Sequence, residues 1–293
     1  PERLKKLFEE IFSVSWRDQG ESDRFNALVV RAGLDWRQVT VLRAYAKYLR
    51  QAGSTFTPDY LADVLVSNVG VAGLLVELFE TRFDPDRSDT DRTEHSEALV
   101  GKIESELESV ASLDHDRIIR SFLAVIQGTL RTNHYQEQPY LVFKLDPRVI
   151  PDLPEPLPKI EMYVYSPRVE GVHLRFGSVA RGGLRWSDRF EDFRTEILGL
   201  VKAQMVKNSI IVPSGAKGGF VCKRLPEGGG REEVMKEVVS CYEQFISGLL
   251  DITDNLVDGR VVHPERTVRH DGEDSYMVVA ADKGTATFSD IAN

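Results

Sequence analysis

Three cationic side chains, Arg181, Lys207 and Lys217, lie in a glycine-punctuated stretch between Gly177 and Phe220. Arg181 precedes Gly182-Gly183, and Lys217 stands between Gly215-Ala216 and Gly218-Gly219. Glycine lets backbone approach a ligand closely, and converging cations need an anion. An amino acid with two carboxylates would satisfy a guanidinium and two ammonium groups together. Each piece alone also has a plain reading. Arg181-Gly182-Gly183-Leu184-Arg185 reads as a basic tight turn between strand and helix, and residues 214–219 as a glycine turn with a solvated lysine. A phosphate-binding loop is the rival for the second turn. It fails because Gly218 stands where that loop needs Ser or Thr for magnesium.

The elements that must position these cations read as a strand–helix–strand unit. The helix is expected to open at Ser187 or Asp188, with Glu191 and Asp192 at the positive end of its dipole. Phe190, Phe193, Ile197, Leu200, Gln204 and Lys207 then step by three or four residues along one face. Lys207 thus ends an apolar stripe, where it either complements the dipole and reaches water or meets an anion. Ile210-Ile211-Val212 reads as the next strand. All three cations fall at or near element ends, where open α/β sheets bind ligands.

Upstream the chain reads as helical. Asp35 caps a helix from Trp36 to about Ala52 that Gly53 stops. Thr57-Pro58 opens another through Leu61, Val64 and Leu65. The polar run from Asp84 to His95 reads as a loop, and a helical pattern resumes near Glu97. Ile118, Ile119, Phe122, Ile126 and Leu130 stripe a further helix. Residues 140–145 alternate as a strand, 146–158 hold too much proline for helix, and 160–165 and 172–176 follow as strands. The expectation is an all-helical region over 1–137, then an α/β substrate-binding domain over 138–293, a mixed sheet with flanking helices.

With 293 residues, 42% hydrophobic and 28% charged, the chain is long enough for about two globular domains. A net charge of −9 argues against broad nucleic-acid binding. No apolar run approaches the roughly 20 residues of a membrane-spanning helix, and no secretory signal is read. Cys222 and Cys241 make no disulfide framework and lack metal-site spacing, which points to a reducing, cytoplasmic setting. His115 and His134 read as surface helix residues. Gly228-Gly229-Gly230 reads as a connector and not as the G-x-G-x-x-G of a nucleotide fold.

In order, the pieces resemble the glutamate dehydrogenase superfamily. Its pattern has a cation before Gly-Gly-x-Arg, then a helix ending in lysine followed by Asn or Ala, then Pro-x-Gly-Gly-Ala-Lys-Gly-Gly. Here they are Arg181-Gly182-Gly183-Leu184-Arg185, Gln204-Met205-Val206-Lys207-Asn208, and Pro213-Ser214-Gly215-Ala216-Lys217-Gly218-Gly219. Ala281-Asp282-Lys283-Gly284-Thr285 resembles the segment that carries the family's catalytic aspartate. The form is similar to the very large bacterial NAD-dependent branch, in which a long helical region precedes the catalytic core. Arg181 stands where smaller members have lysine.

The resemblance implies NAD-dependent oxidative deamination of L-glutamate to 2-oxoglutarate and ammonia. Arg181 would hold the side-chain carboxylate. Lys207, with Gln204 and the Gly182-Gly183 backbone, would hold the α-carboxylate. Lys217 would activate the attacking water, its pKa brought from ~10.4 toward ~7–8 by burial and neighbouring cations. Asp282 would shuttle the proton to and from the substrate nitrogen. Leucine would strand a buried Arg181 unpaired, so glutamate is favoured over branched-chain substrates. NAD would be bound mainly by a Rossmann domain outside this chain, leaving the 1–293 piece inactive alone and the full-length protein a homo-oligomer. A non-catalytic carboxylate-binding or assembly module of a larger protein is the alternative, and a phosphate-ligand enzyme the third reading.

Overall fold

The computed structural model describes residues 2–207 and 215–292. It divides into two compact units, Pro1–Gly128 with Val149–Pro151, and Thr129–Arg148 with Asp152–Asn293.

The first unit is helical: α1 (Glu2–Trp16), α2 (Ala27–Arg31), α3 (Trp36–Gln51), α4 (Pro58–Ser67), α5 (Val69–Phe83), α6 (Asp89–Glu108) and α7 (Leu113–Gly128). Local signals account for several of these boundaries. Asp35 and Gln38 form a reciprocal capping box at the start of α3, satisfying two orphan amides. Beyond its end Gly53 takes a φ of 106°, open to glycine at little cost. Thr57 accepts the Tyr60 amide and Pro58 takes the first helical position of α4. Ile118, Ile119, Phe122 and Ile126 are buried along α7. No single described helix is long and apolar enough to cross a membrane. The apolar pair α4 and α5 bends by 104° between its members.

Two expectations for this stretch of chain are corrected. Residues 89–95 are helix, not loop, because Ser88 caps α6 and Asp89 and Asp91 suit its first turn. Arg92, buried, donates to the carbonyls of Asp84 and Arg87 and so closes the short connection that remains. Leu130 does not extend the α7 stripe but lies in a strand of the second unit.

The second unit is built on a seven-stranded mixed sheet: β1 (Thr129–Thr132), β2 (Leu141–Leu145), β3 (Ile160–Tyr165), β4 (Val169–Arg175), β5 (Gly182–Trp186), β6 (Ala216–Cys222) and, near the end, β9 (Val279–Ala281). Its order is β1-β2-β3-β4-β6-β5-β9. The run β1 to β6 is antiparallel, whereas β5 is parallel to both β6 and β9. Between β5 and β6 runs α8 (Phe193–Lys207), and after β6 runs α9 (Arg231–Asp251). A small hairpin, β7 (Asn255–Val257) with β8 (Arg260–Val262), follows, and α10 (Ser289–Ala292) comes after β9. Helices α8 and α9 lie on opposite faces of the central strands, and β2 and β4 are buried at every position. Phe245 of α9 fills the space above Gly171, and Ile197 of α8 fills that above Gly219 on the other face.

Three local expectations give way here. Both glycine "turns" are strands: residues 182–186 are β5 and residues 216–219 begin β6. The helix opens at Phe193, not at Ser187 or Asp188. The Ser187 amide still bonds to the Phe220 carbonyl as a strand extension, and Phe190 is exposed. The expected strand at 210–212 lies outside the described residues.

Candidate active site

The glycines around the cations are packing requirements. A Cβ on Gly182 would fall 1.4 Å from the Ala216 carbonyl oxygen, one on Gly218 would fall 2.2 Å from Leu184, and one on Gly219 would fall 2.4 Å from Ile197. Only bare backbone lets β5 run against β6 and α8 settle on top. Leu184 pairs with Gly218, so strand alternation puts Gly183, Arg185 and Lys217 together on the opposite face. That β6 is a strand at this point also removes the phosphate-loop reading, which needs a loop entering a helix.

Asp282 arrives at the same face from β9, whose Ala281 pairs with Leu184. A tight turn fixes it. The Asp282 amide donates to Thr285 Oγ1 at 3.0 Å, and Thr285 Oγ1 donates to the Leu184 carbonyl at 2.6 Å. Gly284 has a φ of 83°, in the left-handed region that glycine occupies freely. Lys217 Nζ then donates to Asp282 Oδ2 at 2.7 Å, and the Lys283 amide donates to Oδ1 at 2.7 Å. Arg185 Nη2 stands 3.6 Å from Oδ1. The Lys217 and Asp282 side chains are 20% and 18% exposed, partly desolvated yet reachable. Burial pushes the Asp282 carboxyl up. The Lys217 hydrogen bond, the Lys283 amide and the charges of Lys217 and Arg185 outweigh it and hold the group below the ordinary carboxylate range.

Arg185, to which sequence reasoning gave no role, is itself held. Its Nη1 donates to Glu196 of α8 at 3.0 Å, and the other Glu196 oxygen accepts the Ser187 hydroxyl at 2.6 Å. A fully buried pair, Arg194 with Glu161 at 2.7 Å, ties the same helix to β3. The last turn of α8 carries Gln204 and Lys207, whose side chains lie outside the described residues.

Arg181 immediately precedes β5 and bridges to Gly215, two residues before Lys217. It is exposed, contrary to the expectation of a buried cation, and its Nε donates to Tyr276 Oη at 2.9 Å. The structure thus joins Lys217 to Asp282 directly and sets Arg181 at the end of the strand beside them.

The sequence reading missed a buried charge cage in the same unit. Arg131 of β1, Lys144 of β2 and Arg175 of β4 meet Asp254, Asp271 and Asp274. Lys144 donates to Asp271 at 2.5 Å and to Asp274 at 2.6 Å. Arg131 donates to Asp254 at 2.9 Å and to Asp271 at 2.6 Å. Arg175 donates to Asp274 and to the Tyr276 carbonyl. The cage pins residues 254–276 to the sheet and so delivers both Tyr276 and the strand leading to Asp282. The available signal was a lysine at position 144 in an otherwise apolar strand, a placement that demands paired carboxylates.

Gly228-Gly229-Gly230 forms the connector between β6 and α9. Glu232 and Glu233 occupy the first turn of α9, so its positive end already faces carboxylates and makes no cradle for a pyrophosphate. Cys222 and Cys241 are free and buried.

Residues 102–293 match the family described as bacterial NAD-glutamate dehydrogenase, catalytic domain. Residues 20–85 match glutamate dehydrogenase, helical motif 3. Over its full length the chain is 54% identical to the NAD-specific glutamate dehydrogenase of Halomonas elongata and 55% identical to that of Pseudomonas aeruginosa. Over 98% of its length it is 53% identical to the protein of the same name from Mycobacterium tuberculosis. In each case it spans 18% of the relative's length.

Proposed function

Because this chain belongs to the family of bacterial NAD-glutamate dehydrogenase catalytic domains, we propose that it supplies the substrate-binding and catalytic part of an enzyme that oxidatively deaminates L-glutamate. The products are 2-oxoglutarate and ammonia, and the hydride acceptor is NAD. The second unit, Thr129–Arg148 with Asp152–Asn293, forms the glutamate-binding domain in this reading. The intact enzyme acts as a homo-oligomer. The chain spans 18% of the length of each of the three bacterial relatives, and the acidic first turn of α9 does not favour a pyrophosphate at that helix start. We assign NAD mainly to the part of the enzyme outside residues 1–293 and derive no step through it.

The observation that supports the reading best is the 2.7 Å pair between Lys217 and Asp282, two groups 65 positions apart. A lysine that activates water and an aspartate that exchanges a proton with the substrate nitrogen must both reach one small reacting centre, and two side chains this close can do so. Arg181 would take the side-chain carboxylate, and Lys207, with Gln204 and the Gly182-Gly183 backbone, the α-carboxylate. Because Arg181 is exposed, its selection for a second carboxylate rests on the charge-assisted bond made on binding. It does not rest on the cost of stranding a buried charge.

Arg181→Leu in the full-length enzyme tests this assignment. Its kcat/KM for L-glutamate should fall about tenfold to a hundredfold, the usual loss of a hydrogen bond to a charged group. Unchanged glutamate kinetics would remove the side-chain carboxylate from Arg181.

A further inference from the structure

Arg181 has a long side chain on an exposed surface, and such a guanidinium binds a carboxylate in a two-pronged way at lower ordering cost when its plane is already fixed. What fixes one edge of it is Tyr276, whose hydroxyl accepts from Nε at 2.9 Å. Tyr276 is not loose. Its carbonyl accepts from Arg175, and two residues earlier Asp274 is gripped by Arg175 and by Lys144, all three of these groups being buried. The Asp274 amide also donates to Asp254 at 2.6 Å, and the Asp254 amide to the Asp274 carbonyl at 2.8 Å. Six residues further along the same segment comes Asp282. One anchored stretch of chain therefore carries both the partner of Arg181 and the partner of Lys217.

We propose that Tyr276 is a positioning residue for substrate selection: it orients Arg181 toward the side-chain carboxylate, and the buried charge cage holds Tyr276 in place to do so. This rests on the reading of Arg181 given above. A phenol that only filled space would contribute equally to every substrate. A phenol that aims Arg181 should matter for substrates with a second carboxylate and not for those without one.

Tyr276→Phe keeps the ring and removes the hydroxyl. In the full-length enzyme it should raise KM for L-glutamate about tenfold and change kcat less than threefold, with no shift in thermal midpoint. The preference for L-glutamate over L-norvaline, which lacks the second carboxylate, should fall by a similar factor. In an Arg181→Leu background the same change should add nothing. If Arg181→Leu weakens glutamate binding and Tyr276→Phe does not, or if the two losses multiply, the positioning role is wrong while the reading of Arg181 stands. If Arg181→Leu leaves glutamate KM unchanged, both fall together.

Discussion

Lys144 and Lys217 lie on one sheet with two strands between them, and they point to opposite faces. Each ammonium is bonded to aspartate, yet the two sites are finished to different degrees. Lys144 is fully buried and shared between Asp271 and Asp274, with Arg131 and Arg175 completing a set of three cations and three carboxylates. The three cations of this cage are buried to 1% exposure or less, so an arriving anion does not reach them. Lys217 is 20% exposed and meets Asp282 at 2.7 Å. Buried ion clusters hold a segment in place, because removing one partner strands the rest in low dielectric. An ion pair at a reachable edge can exchange its proton with something that arrives.

The contrast is most easily broken at Lys217. Lys217→Met in the full-length enzyme should cut glutamate turnover by about 10²–10⁴-fold, the range for a positioned acid–base group. Its urea midpoint should move little, since a partly exposed pair contributes about 1 kcal/mol or less. Retained turnover would show that this pair is structural like the other. Lys144→Met should do the reverse. It leaves Asp271 and Asp274 short of a cation and should cost about 3–5 kcal/mol in denaturant unfolding, with activity lost only as the fold is lost. A cost under about 1 kcal/mol would mean that the cage does not hold the 254–276 segment.

The smallest effect is in pH, and it sharpens the cage side of the comparison. Burial pushes Asp254 up, but Arg131, the Asp274 amide and His263 overcome this and bring it to about 2; Asp274 is lowered as well, burial again being outweighed by Arg175 and Lys144. A carboxylate lowered on folding stabilises the fold above its unfolded value of ~3.9 and loses that contribution as pH falls toward the folded one. The cage should therefore weaken between about pH 4 and pH 2. His173, next to Arg175's strand position and buried with neither ring nitrogen bonded, is pressed to about 3 by burial and by Arg175, against Asp274. The unfolded chain takes up that proton first, so a separate decline should begin as pH drops below ~6.5. Urea midpoints followed downward from neutral pH should show both phases, and His173→Leu should remove the earlier one. An earlier phase that survives this change must come from another group.

Much of the helical region was legible because its signals are local. A cap such as Asp35 or Thr57 acts on amides two or three residues away, and the α7 stripe needs only its own period. Residues 89–95 are helix because of the cap at Ser88, a signal that hydropathy does not carry. At the site, the types and order of Arg181, Lys217 and Asp282 were readable, but their setting was not. Glycine pairs signal a turn when read alone; here they are strands because β6, Leu184 and Ile197 press where side chains would be. The contacts of Arg185 and Tyr276 had no local signature at all.

The amino-acid order alone determined which groups are available for chemistry, where α3 and α4 begin, and that a strand-rich part follows a helical one. These depend on each residue and its near neighbours. The tertiary structure decided which groups meet: Lys217 with Asp282, Arg181 with Tyr276, and Lys144 with Asp271 and Asp274. Each of these partners is tens of residues or more away along the chain. A charge acquires its burial and its counter-ion only when the sheet brings them together.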